Sequence, residues 1–176
     1  TTLIIAETHD RALTPNTLNV VSAAQQLGED IHLLVSGGNV SDAADNAANI
    51  SGVSKVFKAE DDALAHHLAE SMESLVLGIA ENYGYILAPA STFGKNVLPR
   101  IAAKLDVQQI SDVTAIESAD TFVRPVYGGQ AVAKVKSTDT KKLITIRTTA
   151  FDPAPADGGR AEIEEITVPE PAAQSA

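Results

Sequence analysis

The stretch Ala88–Asp112, APASTFGKNVLPRIAAKLDVQQISD, decides how this chain is read. It continues an apolar run, Tyr85-Ile86-Leu87-Ala88, through a small polar turn into residues with the amphipathic spacing of a helix. A buried strand that hands over to a helix is the repeating unit of a parallel α/β sheet. The turn, Ser91-Thr92-Phe93-Gly94-Lys95-Asn96, places two hydroxyls, a glycine and a lysine at that junction. Backbone N–H groups at a helix start, with the positive end of the helix dipole, favour an anion there. Ser91, Thr92, Gly94 and Lys95 are therefore the candidate residues of an anion or nucleotide-phosphate loop. The spacing before Lys95 is not that of a Walker loop. A plain helix start with Thr92 as N-cap accounts for the same residues.

The alternation continues outward from this stretch. Leu3–Glu7 reads as a first strand, and a helix follows over about Pro15–Leu27, with Thr14 as N-cap and Pro15 at the first helical position. Ile31–Val35 is a second strand that ends at Gly37-Gly38, and Ser41 caps a short helix over roughly Ser41–Ala48. Ser54–Ala59 is a third strand, Asp61–Asn82 is helical with room for a break, Tyr85–Pro89 is the fourth strand, and Gly94–Leu105 the next helix. Past Asp106 the character changes. Val113–Glu117, Thr121–Tyr127, Ala131–Ser137 and Lys142–Arg147 are strand-like, and Phe122, Arg124, Val126 and then Ala131, Ala133, Val135 alternate as antiparallel strands do. The predicted fold is α/β: a three-layer, doubly wound, mostly parallel sheet over residues 1–151, with an antiparallel hairpin addition. Asp152–Gly159 has the composition of a linker, Glu162–Ile166 reads as a short strand, and Pro169–Ala173 as a disordered end.

Composition narrows the function. The 176 residues are 44% hydrophobic and 20% charged, enough apolar material for one domain with a sizeable core. A net charge of −10 argues against nonspecific binding to nucleic acid or to an anionic membrane surface. With zero cysteines there are no disulfides, thiolate metal sites or cysteine nucleophiles. No run approaches the ~18 apolar residues of a membrane span, and the opening Thr1–Ala6 lacks the basic start of a signal peptide. A soluble protein is expected.

Other candidate residues carry ordinary readings. Gly37-Gly38 either approaches a nucleotide backbone or ends a strand. His66 and His67 point about 100° apart on a helix and cannot chelate one metal together, although His66 and Glu70 form a conceivable two-ligand fragment. His9 and His32 are isolated. Asp61-Asp62 and Glu162–Glu165 read as solvated charge. Arg100 and Arg124 are expected to pair with carboxylates. No spacing sets a nucleophile beside a base and its orienter, so the sequence names no catalytic residue and no metal site.

Several segments, in order, resemble one family. They are Leu3-Ile4-Ile5-Ala6-Glu7; Ala90-Ser91-Thr92-Phe93-Gly94-Lys95-Asn96-Val97-Leu98-Pro99-Arg100-Ile101; Ile110-Ser111-Asp112-Val113; Phe122-Val123-Arg124-Pro125-Val126-Tyr127-Gly128-Gly129; and Arg147-Thr148-Thr149-Ala150-Phe151. Together they are similar to the N-terminal part of electron transfer flavoprotein alpha subunits. The resemblance implies an adenine nucleotide alpha hydrolase-like fold, pairing with a beta subunit that holds AMP, and a heterodimer that shuttles electrons from acyl-CoA and other dehydrogenases through FAD to a quinone oxidoreductase. Residues 152–176 would then be a linker or tail toward an FAD-binding domain that this sequence does not contain. The family's glycine-rich flavin stretch has no counterpart before Ala176, so FAD is not expected in this chain alone. A stand-alone AMP-binding α/β module is the alternative function. The expected compartment is the bacterial cytoplasm, with the mitochondrial matrix as the alternative.

Overall fold

The computed structural model describes residues 1–65 and 69–167. The strands are β1 (Thr2–Ile5), the short pair β2 (Thr8–His9) and β3 (Ala12–Leu13), β4 (Ile31–Gly37), β5 (Val53–Glu60), β6 (Tyr85–Pro89), β7 (Gln109–Val113), β8 (Ala115–Ile116), β9 (Thr121–Val126), β10 (Ala131–Lys136), β11 (Lys142–Ile146) and β12 (Glu162–Glu165). Four α-helices join them: α1 (Asn16–Gln25), α2 (Ser41–Ala48), α3 (Ala69–Leu77) and α4 (Thr92–Leu105). Seven strands form one sheet in the order β12-β5-β4-β1-β6-β11-β7, every neighbouring pair parallel. β8, β9 and β10 form a separate antiparallel sheet.

Alternate residues of β1 explain the three layers. Ile4 and Ala6 face a core built with α1, α2, Phe122 and Phe151, while Leu3 and Ile5 face one built with α3 and α4. A strand apolar on both faces must be covered on both, which places it in the middle of a parallel sheet. The chain moves from β1 out to β4 and β5, then returns to the other side of β1 as β6. The α/β class, the parallel sheet and the antiparallel addition are as expected.

Three expectations are corrected and one is refined. Lys142–Ile146 is not part of the antiparallel addition: β11 lies inside the main sheet, between β6 and β7. Its run of buried residues, Leu143 to Ile146, is that of a central strand. Strand β7 begins at Gln109 rather than at Val113, because alternating polar residues at the sheet's edge hide its start. The helical stretch Asp61–Asn82 is broken, as it had room to be: a short 3-10 turn, Asp62–Leu64, precedes α3, and another, Ala80–Asn82, follows it. Finally, none of the three expected N-caps is used: Ser41 is the first residue of α2, after Val40, and caps nothing. The Thr14 hydroxyl donates to the Glu7 carbonyl at 3.0 Å, and α1 starts after Pro15 with no side-chain cap. At α4 it is the Ser91 oxygen, one residue before Thr92, that accepts from the Gly94 N–H at 3.4 Å.

The alternation in the small sheet holds in register, with Phe122 opposite Val135, Arg124 opposite Ala133 and Val126 opposite Ala131. Phe122 is fully buried and ties this sheet to the main core. Residues 152–161 have the composition of a linker but are held closely. The Ala154 N–H donates to Leu18 at 2.9 Å, Pro155 accepts from Ser51 at 3.0 Å, and the Gly159 N–H donates to Asn49 at 2.8 Å. The expected strand after them is β12, on the edge of β5. The expected disordered end, Pro169–Ala173, lies outside the described residues.

On β4, next to β5, the His32 ring nitrogen Nδ1 lies 2.8 Å from the Tyr83 hydroxyl, with Phe57 edge-on to the ring. Burial and then the Lys55 ammonium hold the imidazole below its usual pKa, and burial pushes the Tyr83 hydroxyl up to about 12. A lowered imidazole pKa means that folding favours the neutral ring. That contribution is complete above the unfolded value of about 6.5 and is lost as pH falls through it toward the lowered one. Melting temperature is therefore expected to decline on acidification between about pH 7 and 5.5, before ordinary carboxylates titrate. In His32→Phe this acid-side slope should flatten; an unchanged slope would assign it to another group.

Candidate functional site

In an open parallel sheet, ligands bind beyond the carboxyl ends of the strands, where the winding reverses. Here that place lies between β1 and β6. Three helix N-termini open toward this edge, and two of them, those of α2 and α4, are served by side chains from within the chain. Beyond β1, the Glu7 carbonyl accepts from the Thr14 N–H at 2.9 Å and the Glu7 carboxylate from the Asn16 amide at 3.5 Å, just before α1. At α2 the Glu60 carboxylate accepts from the Val40 N–H at 3.0 Å and from the Ser41 hydroxyl at 3.5 Å, so an internal anion stands where a phosphate would. At α4 the Ser91 hydroxyl is the cap.

The expected anion loop is therefore assembled mainly by packing. Gly94 is buried, and a Cβ built there would meet the Pro89 carbonyl oxygen at 1.9 Å, so the helix start rests directly on the end of β6. Thr92 and Lys95 are exposed, and the Lys95 N–H donates to the Ser91 carbonyl at 2.9 Å. Next to the loop, the Ala90 N–H donates to Ile146 and the Arg147 N–H to Val113, which sews the ends of β6, β11 and β7 together. The Arg147 guanidinium grips both carboxylate oxygens of Asp112, a residue at φ +61°. The sequence offered no sign of this pair, whose members lie 35 positions apart.

A cleft of about 550 Å³ opens beside the β2–β3 hairpin, lined by His9, Asp10, Arg11, Gly38, Asn39 and Asp62. The hairpin turns through Asp10 and Arg11, at φ +49° and +68°. That two-residue turn normally calls for Asn-Gly, so the sequence concealed it. Gly37 ends β4 and accepts from the Asp61 N–H at 3.0 Å, while Gly38 leaves space for Ala65, whose methyl would lie 3.1 Å from a Cβ there. The glycine pair ends a strand. His9 is exposed beside Asp10. His66 and His67 lie outside the described residues. Among those described, no three His, Asp or Glu side chains stand close enough to hold a metal ion.

The two arginines differ in what they bind. Arg100 faces Glu73 at 3.4 Å and Glu70 at 3.8 Å, as expected. Arg124 instead donates to the Ser111 carbonyl at 2.9 Å and hydroxyl at 3.1 Å, which covers the open edge of β7 rather than neutralising a carboxylate.

Exposed apolar surface gathers at one end of the small sheet. Tyr127 is 84% exposed and Val132 69%, and they flank the turn that joins β9 to β10. Tyr127, Gly128 and Gly129 all have positive φ, at +54°, +65° and +86°. For a tyrosine that conformation costs on the order of 1 kcal/mol, and it projects the ring away from its own domain.

Comparison with known proteins agrees with the order of segments. The Electron transfer flavoprotein domain matches residues 2–171. This chain belongs to the electron transfer flavoprotein family. It is 49% identical to the electron transfer flavoprotein subunit alpha of Pseudomonas aeruginosa, over 99% of this chain and 56% of that protein. The subunit alpha of Paracoccus denitrificans is 48% identical over 93% of this chain and 53% of its own length. A probable mitochondrial subunit alpha of Caenorhabditis elegans is 44% identical over 93% and 49%. The chain therefore spans about half the length of these relatives, as their N-terminal domain portion. Among the described residues no helix is long and apolar enough to cross a membrane.

The family is one of flavoproteins, and the sheet's carboxyl edge does not fit a flavin dinucleotide. Its diphosphate needs open N–H groups and a tolerant positive field. Here the Glu60 carboxylate takes the Val40 N–H before α2, the Ser91 hydroxyl takes the Gly94 N–H at α4, and Gly94 is backed directly by the Pro89 carbonyl.

Proposed function

We propose that this chain is the structural and subunit-interface portion of an electron transfer flavoprotein alpha subunit, with the domain of residues 1–151 completed by β12 and the residues beyond it leading toward an FAD-binding portion. The complete heterodimer would take electrons from acyl-CoA and other dehydrogenases and pass them through FAD to a quinone oxidoreductase. This portion serves as scaffold for the electron carrier and performs no bond chemistry itself. The carrying observation is the exposed Tyr127 and Val132 end of the small sheet, where a turn of three left-handed residues holds a large aromatic ring out in water, as a partner-facing anchor would be held. The Glu60 carboxylate before α2 supports the placement of FAD elsewhere.

The test is to mix this chain with an electron transfer flavoprotein beta subunit and weigh the product by native mass spectrometry. A one-to-one complex is expected. Chains that stay apart at tens of micromolar, under conditions where each is folded, would remove the interface role. Protection of the isolated chain by AMP in a thermal melt would favour the nucleotide-binding alternative.

A further inference from the structure

The strap that closes the described chain is held in two different ways. Its first part, 151–161, is fixed by shape. Phe151 and Ala154 are buried in the core, Asn19 donates to the Phe151 carbonyl at 2.7 Å, and a Cβ on Gly159 would strike the Ile50 carbonyl oxygen at 2.2 Å. Its second part, β12, is an edge strand with three glutamates in four residues, Glu162, Glu164 and Glu165. It pairs in parallel with β5 from Glu162 opposite Lys55 to Glu165 opposite Lys58.

What opposes the repulsion among those carboxylates is a pair of lysines on β5. The Lys55 ammonium lies 2.9 Å from Glu164, and the Lys58 ammonium 3.0 Å from Glu165, which holds the Lys58 pKa above its ordinary value. Apolar support comes from two side chains, the partly buried Ile163 and Ile166, packed against the two cores, and the ladder ends where the Ile166 N–H donates to Lys58 at 2.9 Å. Lys55 and Lys58 are only 28% and 15% exposed but their glutamate partners are 49% and 77% exposed, so salt reaches these pairs from the glutamate side, whereas the apolar sheet does not respond to it.

We propose that residues 162–166 form a salt-sensitive latch, which undocks from β5 as a local unit while the rest of the sheet stays folded. Its docked state holds residue 167 against the sheet, and its released state frees any polypeptide joined there and bares the edge of β5 with two unpaired lysines. Such local opening, well below the cost of global unfolding, is how edge elements in other folds become movable parts.

Hydrogen–deuterium exchange of this chain, read by mass spectrometry, tests the latch. Between about 20 mM and about 500 mM sodium chloride, exchange of a peptide spanning 162–167 is expected to quicken about tenfold, with the β4 peptide unchanged. The K55Q/K58Q variant should show the fast rate at both salt concentrations. If that variant fails to fold, E164Q/E165Q replaces it, with the loss of salt dependence as the reading. The latch is overturned if 162–167 exchanges as slowly as β4 at both concentrations. It is equally overturned if the two segments quicken only together, or if removing the ion pairs leaves the salt dependence intact.

Discussion

Gly94→Ala is expected to destabilise the chain by about 3 kcal/mol, the upper part of the range for forcing an added methyl group into a packed interior. The new Cβ would sit 1.9 Å from the Pro89 carbonyl oxygen, 3.1 Å from its carbon and 3.4 Å from the Ala88 methyl group. A flexible side chain could swing away from such a clash, but this neighbour is backbone. Strand β6 has no room to retreat, since β1 pairs with it on one side and β11 on the other. The start of α4 must lift instead, and it carries Val97, Leu98 and Ile101 out of their packing against Leu3 and Ile86. At about 2–4 °C per kcal/mol for a chain of this size, the melting temperature should fall by about 6–12 °C. Gly84→Ala is the control: a Cβ there meets nothing within 4 Å, and stability should change by no more than about 0.5 kcal/mol. Urea unfolding of both variants measures the difference. A loss under about 1 kcal/mol at Gly94 would mean that helix and strand can part cheaply.

The same glycine shows what could be read before the structure and what could not. Strand β6 and the helix after it were legible because a short apolar run and an amphipathic run are local patterns, set by burial on two faces. So was the pairing of β9 with β10, since Phe122, Arg124 and Val126 repeat with the period of a pleated strand. The reason for Gly94 was not legible. A glycine at a strand-to-helix junction serves an approaching anion and an approaching carbonyl equally well in the sequence, and only the distance to Pro89 separates them. Long-range order was hidden for a related reason. Nothing near Lys142–Ile146 says that the strand slips between β6 and β7, and Asp152–Gly159 reads as a linker because the partners of Ala154, Pro155 and Gly159 are Leu18, Ser51 and Asn49, whereas the strand after it was legible. Caps failed by one position because Thr14, Ser91 and Thr92 are all competent acceptors, and the choice among them rests on backbone angles.

Replacing Tyr127 and Val132 together by glutamate is expected to weaken association with a beta subunit by at least about 100-fold, a loss of about 2.7 kcal/mol and the scale of an interface hot spot. The two side chains make little contact with their own domain, being 84% and 69% exposed, so the domain gives up almost nothing when they change. Melting temperature should hold within about 2 °C, which separates a lost surface from a lost fold. The surroundings have the form of an interface centre with a charged margin: along β10, Lys134 pairs with Glu117 at 3.1 Å and Lys136 with Asp120 at 3.8 Å. Those pairs lie on an exposed strand, so breaking one by Lys134→Ala should change affinity by less than about 1 kcal/mol. Tyr127 should dominate, because an aromatic ring covers a large area with little entropy to lose, and three successive left-handed residues already fix its direction. Isothermal titration of the double glutamate variant against a beta subunit, beside the unaltered chain, decides the matter. Equal affinity would place the subunit contact on another face and leave the strained Tyr127 turn without a role in assembly.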